Sequence, residues 1–357
     1  MSALDRDAAR AIVADALASP ATRVAWASED GASWTAAQAA CPFVPVEYER
    51  DFAAYQLAYL ESGGDTVVDL SFAVLIDGAP VALMPLVLRA RDGRVELGSN
   101  EGPVVPPLFA GDPGERLRKQ IVAAILRAIA GLCARHRVAA WRSTSILRDA
   151  ADLGAWHRRL MEAGAQAELR HELLLDLTPE LDALRRSFRK SYRPLINEAG
   201  RLWSHEIVDR ADSATFDAFR ALHLRAAGRV TRSDATWAAQ AAAVQSGTSF
   251  LVALRDAERA LVGAALFATT RDEALYAVGA YDRALFDRPV GHLAQAAAIA
   301  HMKALGLRRY RLGARPYPGD RPPPTEKELS IALFKEGFAS TTCARVTLTV
   351  PAQAGPG

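Results

Sequence analysis

The chain has 357 residues, of which half are apolar and 24% are charged, and its formal net charge is +2. This composition is that of a folded globular protein, and the length suits two domains or one large one. It excludes a disordered or collagen-like chain. The small net charge gives no support to a nucleic-acid-binding platform, so DNA is not expected as a partner.

No uninterrupted apolar run is long enough to cross a bilayer. The best candidate, 66–88, contains Asp69 and Asp77, and we therefore expect no membrane span. The first twenty residues mix Asp and Arg with Ala, which predicts an amphipathic helix over about 3–18 rather than a secretory signal.

The three cysteines stand far apart and form no CxxC pair, which is typical of a protein of the reducing cytoplasm. Histidines and cysteines show no spacing that suits a metal ion, and we expect no metal.

Helical and strand-like patterns alternate along the first half of the chain. The predicted order is a helix over 3–18, a helix over 47–62, strands over 66–78, 80–90 and 94–99, a helix over 115–136, a strand over 136–146, a helix over 152–164 and a strand over 168–178.

The second half starts over with a similar order. The prediction is a helix over 178–202, a strand over 203–209, helices over 214–228 and 233–247, strands over 249–256, 259–270 and 274–282, a helix over 290–306, a strand over 308–313, a helix over 325–338 and a strand over 344–350. The repeated order predicts an α/β (α+β) protein with two domains of one type, 1–177 and 178–357. Each would be a mixed, mostly antiparallel sheet flanked by helices.

The end of the second half carries a specific pattern. A strand with Tyr310, Leu312 and Gly313 is followed by a loop and by a helix that ends in Phe-Lys-Glu-Gly-Phe, residues 334–338. Together with the order of strands and helices, this pattern resembles the Fem-like peptidyltransferases and the related double GNAT (GCN5-related N-acetyltransferase) proteins. The resemblance covers about 178–350, and across 1–177 it is one of architecture only. It implies two tandem GNAT-like domains and an acyltransferase.

The turn before the helix at 290 resembles the donor-binding turn of GNAT proteins, which has the pattern Q/R-x-x-G-x-G/A. Arg288, Gly291 and His292 match it or lie within it, whereas Leu293 replaces the second small residue. The resemblance implies that this turn holds the pyrophosphate of acyl-CoA at a helix N-terminus. The alternative is that Gly291 only eases the turn.

A basic stripe lies in the helix predicted over 178–202. Arg186, Arg189, Lys190 and Arg193 fall at helical spacing on one face, with Tyr192 beside them. Such a stripe is either a solvated surface or an anion site. The resemblance implies that Arg189, Lys190, Tyr192 and Arg193 help to bind the diphosphate of a nucleotide-linked acceptor.

A second candidate binding site is the turn between the helices at 214–228 and 233–247. Arg229, Arg232 and Trp237 surround this turn and are the expected substrate-binding residues there. His223 falls on an apolar helical face, which favours a core histidine over a base.

Four residues are the candidate catalytic groups: Lys335, Tyr281, Glu328 and His292. The resemblance implies that Lys335 stabilises the negative charge of a tetrahedral intermediate, although a cation near a helix end also has a structural explanation. Tyr281 ends the third strand of the second half, where a substrate would meet it.

The general base is left open by the sequence. Glu326, Glu328, Asp282 and His292 are all possible.

No covalent nucleophile arrangement such as G-x-S-x-G is present, which favours direct attack of an amine on the acyl donor. The resemblance implies a cytoplasmic N-acyltransferase, and we expect it to act in cell-envelope or polysaccharide biosynthesis. The acyl group would pass from acyl-CoA, as co-substrate rather than bound cofactor, to the amine of a nucleotide-linked sugar or another envelope or surface-glycan precursor. Two alternatives remain. One is an aminoacyl-tRNA-dependent peptidyltransferase acting on a cell-wall precursor, although the near-neutral charge gives tRNA limited support; the other is a non-catalytic GNAT-fold binding module.

Overall fold

A computed structural model of the chain describes residues 4–148, 152–210 and 212–352. The described residues form two compact units. The first comprises Met1–Tyr48, Leu60–Leu169 and Ala344–Gly357, and the second comprises Glu49–Tyr59 and Arg170–Cys343. The predicted domain limits, 1–177 and 178–357, stay a prediction, since packing divides the chain elsewhere and their outer ends lie outside the described residues.

Within the described residues, the first unit contains four whole helices and most of the shorter strands. Its helices are α1 (Arg6–Leu17), α2 (Gly31–Ala40), α4 (Glu115–His136) and α5 (Ala155–Glu162), whereas α3 (Arg50–Ser62) lies mostly in the second unit and ends in the first. Its strands are β1 (Thr22–Trp26), β2 (Thr66–Asp69), β3 (Phe72–Ile76), β4 (Ala79–Met84), β5 (Val87–Arg91), β6 (Arg94–Gly98), β7 (Leu108–Phe109) and β8 (Ala140–Leu147).

Antiparallel pairing dominates this unit. The strands pair in the orders β1-β3-β4-β7 and β2-β5-β6. The chain returns at its end in β15 (Thr341–Pro351), which pairs with β8 from Ala344 opposite Leu147 to Pro351 opposite Ala140. Val13 of α1, Ile125 of α4 and Leu88 of β5 are fully buried in one core.

The sequence did not predict β1 and α2, and it joined strands that the structure breaks. Asp30 caps α2 by accepting the backbone N–H of Ser33, and this Asp-x-x-Ser spacing was a usable signal. The predicted strand over 80–90 is divided between β4 and β5 because Pro85 has no N–H to donate to a neighbouring strand.

The second unit is a sheet with helices on both faces. Its helices are α6 (Leu181–Ser187), α7 (Tyr192–Leu202), α8 (Ser213–Ala227), α9 (Asp234–Gln245), α10 (Val290–Ala304) and α11 (Glu326–Glu336). Its strands are β9 (Gln166–Asp176, entered from the first unit), β10 (Ser204–Val208), β11 (Ser249–Arg255), β12 (Leu261–Thr269), β13 (Glu273–Tyr281) and β14 (Arg309–Ala314).

These strands pair in the order β10-β11-β12-β13-β14-β9. The β13–β14 pair is parallel and the other pairs are antiparallel. One face packs against α7 and α10 in a core that includes Phe267, Tyr310 and Phe338, which we call the α10 face. The other face packs against α8 and α9 around Phe219 and Trp237, and we call it the α8 face. The predicted fold class is confirmed.

The helix predicted over 178–202 is wrong in two respects. It begins at Leu181 rather than Thr178, and it is broken between Ser187 and Tyr192. Phe188 ends α6 with an extended backbone (ψ 151°), and its buried ring lies 5.1 Å from that of Phe338. The gain from burying this aromatic ring explains the break, which a local pattern does not contain.

This break overturns the predicted basic stripe. Arg186 lies on α6 and Arg193 on α7, while Arg189 and Lys190 lie in the connection. The four cations therefore do not share a face of one helix.

Within the described ranges, no helix combines the length and the apolar character that a bilayer crossing requires.

Candidate active site

Strands β13 and β14 pair over a short stretch only. Their parallel pairing begins at Glu273 with Arg309, and within the described residues it ends at Leu275 with Arg311. Beyond this point β13 remains paired with β12, and β14 with β9. The two strands therefore diverge, and an opening forms in the middle of the sheet.

Both strands that border the opening contain a β-bulge. The register of β12 with β13 shifts so that Ala277 is an extra residue, and the register of β14 with β9 shifts at Leu312. A bulge bends its strand and increases the local twist. Two bulges at the same level explain why β13 and β14 separate there.

The bulge in β13 brings two tyrosines to the α10 face. Tyr276 and Tyr281 are five residues apart, which in a regular strand would place them on opposite faces, but both pack against the α10-face core. Their side chains share a hydrogen bond, and burial raises the pKa of both phenols. Gly279 contacts the Tyr276 side chain directly. A Cβ at position 279 would be 1.8 Å from the Tyr276 hydroxyl oxygen, so a larger residue would displace that ring.

Lys335 extends from the last turn of α11 into the opening. Its Nζ lies 4.9 Å from the centroid of the Tyr276 ring. On β14, the position that a Cβ would take at Gly313 (φ 114°) is 3.1 Å from the same Nζ. Burial lowers the pKa of this amine, and the charge of Glu172 opposes that shift. The lysine predicted as catalytic thus places an amine between β13 and β14.

His292 lies at the start of α10 inside an aromatic box formed by Tyr192, Phe334 and Phe338. The imidazole centroid is 4.5 Å from that of Tyr192 and 5.0 Å from that of Phe334, both edge-on. Burial lowers the pKa of His292 to about 4, against the opposing effect of a hydrogen bond with the Pro289 carbonyl. The imidazole is therefore neutral near pH 7 and only weakly basic.

We expect an NMR titration of the His292 ring, assigned with His292→Gln, to give a pKa of about 4 against 6.5 for an ordinary histidine. Between these values the unfolded chain binds a proton that the folded chain does not bind. The free energy of unfolding of the native protein should therefore fall as the pH drops from 6.5 to 4, and it should fall less in His292→Gln. A midpoint near 6.5 in the folded protein would contradict the buried environment.

The three residues of the predicted donor turn have different surroundings. Arg288 is exposed, just before α10. Gly291 lies against the aromatic box, where the position of a Cβ would be 3.3 Å from Cζ of Phe334. The close packing of α10 against Phe334 is therefore one explanation for a glycine at position 291. The role of Gly291 in donor binding stays a prediction. Tyr281 lies near the start of α10, since its ring and the side chain of Val290 both pack against Gly263.

Arg189 and Tyr192 hold the C-terminal end of α11. The Tyr192 hydroxyl donates to the Phe334 carbonyl at 2.9 Å, and the Arg189 guanidinium donates to the Leu333 carbonyl at 3.0 Å. The backbone N–H of Arg189 donates to Gly337 at 2.8 Å. These contacts satisfy carbonyls at a helix end and so position Lys335. Substrate binding by Arg189 and Tyr192 stays a prediction, as it does for Lys190 and Arg193, which are exposed.

The predicted residues Arg229, Arg232 and Trp237 line one pocket of about 260 Å³ at the turn between α8 and α9, which we call the turn pocket. Arg232 donates to Nε2 of His223 at 2.8 Å. Because a guanidinium cannot accept a hydrogen bond, Nε2 is the acceptor and the imidazole is neutral. Burial, and secondly the charge of Arg232, lower the pKa of His223.

An aromatic contact beside the turn pocket was not predicted. The Arg232 guanidinium lies 5.8 Å from the Trp237 ring and 5.6 Å from the ring of Tyr59, which belongs to α3. Tyr59 is distant in sequence from the turn, and no local signal connects the two.

Two of the acids considered as bases stabilise local structure. Glu328 forms a capping box with Thr325, accepting its backbone N–H at 2.7 Å and its hydroxyl at 2.8 Å. Asp282 accepts the backbone N–H of Ala284 at 3.0 Å. The hydrogen bonds from Thr325 lower the pKa of Glu328, so its predicted catalytic role gains no support from the geometry. Across the described chain, no cluster of three or more metal-ligating side chains is found.

Comparisons with known proteins agree with this geometry. Residues 184–321 match the acetyltransferase (GNAT) domain family. Among solved structures, FemX has a TM-score of 0.68 at 12% identity, covering 93% of this chain and 98% of that chain. The C-terminal domain of a putative lysylphosphatidylglycerol synthetase from Agrobacterium fabrum has a TM-score of 0.56 at 13% identity, covering 92% and 94%. A tandem GNAT protein from the clavulanic acid biosynthesis pathway has a TM-score of 0.51 at 17% identity, covering 93% and 98%.

The solved structures show a tandem GNAT fold, and the acetyltransferase (GNAT) match over 184–321 indicates an acyltransferase. The predicted resemblance to the Fem-like GNAT proteins is confirmed. A search of curated protein sequences finds no match.

Proposed function

We propose that this protein is an N-acyltransferase that moves an acyl group from acyl-CoA to the amine of a nucleotide-linked sugar or another cell-envelope or surface-glycan precursor. The observation that carries the proposal is the amine of Lys335, which lies between the diverging strands β13 and β14. A charge at this point would stabilise an oxyanion formed there.

The donor would lie in the opening on the α10 face. Where β13 and β14 are no longer paired with each other, their backbone groups are available to an extended acyl-pantetheine arm. The N-terminus of α10, with Gly291 and His292, lies on the same face and favours an anion. Arg288 is exposed beside it and would bind a phosphate of CoA.

The acceptor would reach the opening from the α8 face. Val278 follows the bulge of β13 and packs in the same core as Trp237 of the turn pocket. Arg229 and Arg232 supply cations for phosphates, and the largely buried Trp237 contributes to the wall of the same pocket. This chemistry suits a nucleotide-linked acceptor.

The reaction would proceed by direct attack. The neutral amine forms a C–N bond with the thioester carbonyl, and the oxygen gains the negative charge that Lys335 stabilises. The C–S bond then breaks, the amine loses one proton, and the products are an amide and the free thiol of CoA. The pKa of His292, lowered to about 4, makes its imidazole a weak base, so the proton would pass to solvent or to another group.

We propose that the transfer takes place in the cytoplasm. Cys41, Cys133 and Cys343 are buried and form no disulfide, and cysteines outside disulfides are typical of a reducing compartment.

Calorimetric titration with acetyl-CoA tests the donor, with free CoA and 3′-dephospho-CoA as comparison ligands. We expect binding that weakens by about 10-fold or more in Arg288→Ala, because a charge-assisted hydrogen bond is lost. Arg271→Ala is the matched control, since it removes the same charge from the turn before β13, at the other end of that strand. An amino-sugar nucleotide screen would then test the acceptor.

The absence of heat with every CoA compound would reject acyl-CoA as donor. Titration with aminoacyl-tRNA would then separate the two remaining functions. Turnover with it would indicate peptidyl transfer, and binding without turnover would indicate a non-catalytic module.

A further inference from the structure

One arginine of the turn pocket is held on one side and unpaired on the other. Nη1 of Arg232 donates to Nε2 of His223 at 2.8 Å and to Oγ1 of Thr231 at 3.3 Å, which occupies both of its hydrogens. Nε of the same guanidinium is buried without a hydrogen-bond partner. Among the described residues, Nη2 has no partner either, and no carboxylate pairs with Arg232. A guanidinium with unpaired donors in a pocket can bind an oxyanion.

Aromatic rings and a neutral histidine fix the orientation of this guanidinium. Its carbon lies 5.6 Å from the ring centroid of Tyr59 and 5.8 Å from that of Trp237. The His223 ring is itself edge-on to Trp237, with the centroids 5.4 Å apart. Burial, and secondly the charge of Arg232, lower the pKa of His223, so Nε2 keeps its lone pair near neutral pH. The histidine therefore provides a fixed acceptor for Nη1.

A second arginine of the same pocket differs in its pairing. The Arg220 guanidinium borders the pocket but is hydrogen-bonded to Asp234. Its charge is therefore compensated, whereas the neutral histidine beside Arg232 supplies no negative charge. The other charged residues that line the pocket, Asp217 and Arg229, are both exposed. Arg232 thus combines a partly buried charge with donors that are held in place and unoccupied.

We propose that His223 is a positioning residue: by accepting from Nη1, it holds Arg232 so that Nη2 binds an oxyanion group of the acceptor. The ligand group is a phosphate or a carboxylate, the two oxyanions that a guanidinium recognises through directed hydrogen bonds. This role deepens the function proposed above, and rests on it only for the statement that the ligand is the acyl acceptor. It differs from both roles that the sequence left for this histidine, a core residue and a base.

Binding in the turn pocket can be followed by NMR at the indole N–H of Trp237, whose signal Trp237→Phe assigns. Inorganic pyrophosphate and succinate, titrated separately near neutral pH, represent the phosphate and the carboxylate. We expect at least one of them to shift the signal, and the anion that binds more tightly identifies the source. Because the indole lies in the turn pocket, the signal separates this site from pyrophosphate bound at the donor turn.

Two amides at position 223 separate positioning from packing. Glutamine can place its carbonyl oxygen where the histidine has Nε2, whereas asparagine is one methylene shorter and does not reach Arg232. We expect anion affinity to fall by about 10-fold in His223→Asn, because a directed charge-assisted hydrogen bond is lost, and to return close to the native value in His223→Gln. Arg232→Lys should lose a similar factor, since lysine keeps the charge but not the planar fork. Arg220→Lys is the matched control and should bind as the native protein does.

Equal anion affinity in His223→Asn and His223→Gln, or equal losses in Arg232→Lys and Arg220→Lys, would overturn the proposal. So would an indole signal that neither anion shifts. If His223→Asn does not fold, the native protein still decides, because the ¹⁵N shifts of its His223 ring must show a proton on Nδ1 and none on Nε2.

None of these readouts requires a donor or turnover. Anion binding that depends on His223 and Arg232, in a protein that transfers no acyl group, would contradict the proposed function alone. Acyl transfer by a protein whose turn pocket binds no anion would contradict the role of His223 alone.

Discussion

Replacing Lys335 with methionine is expected to lower kcat for acyl transfer by about 100- to 1,000-fold, the loss found when one oxyanion donor is removed. Methionine retains the length and apolar contacts of the side chain but has no charge. The Lys335 amine lies between Tyr276 on β13 and Gly313 on β14, where the acyl carbonyl would be held. Steady-state kinetics with the donor and acceptor identified above would measure the change, and calorimetry should show little change in donor affinity.

Lys327→Met is the matched control. Lys327 is an exposed residue in the first turn of the same helix, α11, so the substitution removes the same charge from the same element without altering the opening. We expect its kcat to be close to that of the native protein. A Lys335→Met variant with native kcat would show that the amine has only a structural role.

Gly337→Ala is expected to destabilise the protein by about 1–3 kcal/mol, as overpacking of a filled core does. Its backbone (φ −66°, ψ −13°) suits any residue, so the effect is steric. A Cβ at this position would be 2.2 Å from Cε2 of Tyr192, whose hydroxyl is bonded to Phe334. The displaced ring would also move the end of α11, and kcat should fall with stability. Chemical denaturation measures the first effect, and kinetics the second.

Gly200→Ala provides the contrast. Gly200 lies in α7 with no atom within 4 Å of a Cβ position, so alanine should stabilise the helix by about 0.5–1 kcal/mol. Opposite signs for the two glycine substitutions are the expected result. Equal or greater stability in Gly337→Ala would show that Tyr192 does not pack as described.

The structure explains why the Phe-Lys-Glu-Gly-Phe pattern was informative. Phe334 and Phe338 form walls of the aromatic box around His292. Lys335 enters the opening, and Gly337 admits the ring of Tyr192. Each of these four residues makes a contact that a residue of another type could not make. Because the four are close together in the chain, the pattern can be recognised from the sequence alone.

Local patterns failed where distant residues decide the outcome. The helix predicted over 178–202 is broken because Phe188 gains more by packing on Phe338 than by continuing the helix. The basic stripe disappears with that helix. Likewise β1 and α2 went unpredicted, since both are short and contain few large apolar residues.

The sequence by itself determined the order of strands and helices after α7 in the second half, because periodicity is a local property. It also determined the GNAT resemblance and the candidates Lys335, Tyr281 and His292, because motifs are local too. Only the tertiary structure decided that bulges part β13 from β14, and that the Lys335 amine lies between Tyr276 and Gly313. It also decided that the ring of Tyr59 lies against Arg232 of the turn pocket. Strand register and buried charge pairs join residues far apart in the chain, and their free energy exists only once the sheet has formed.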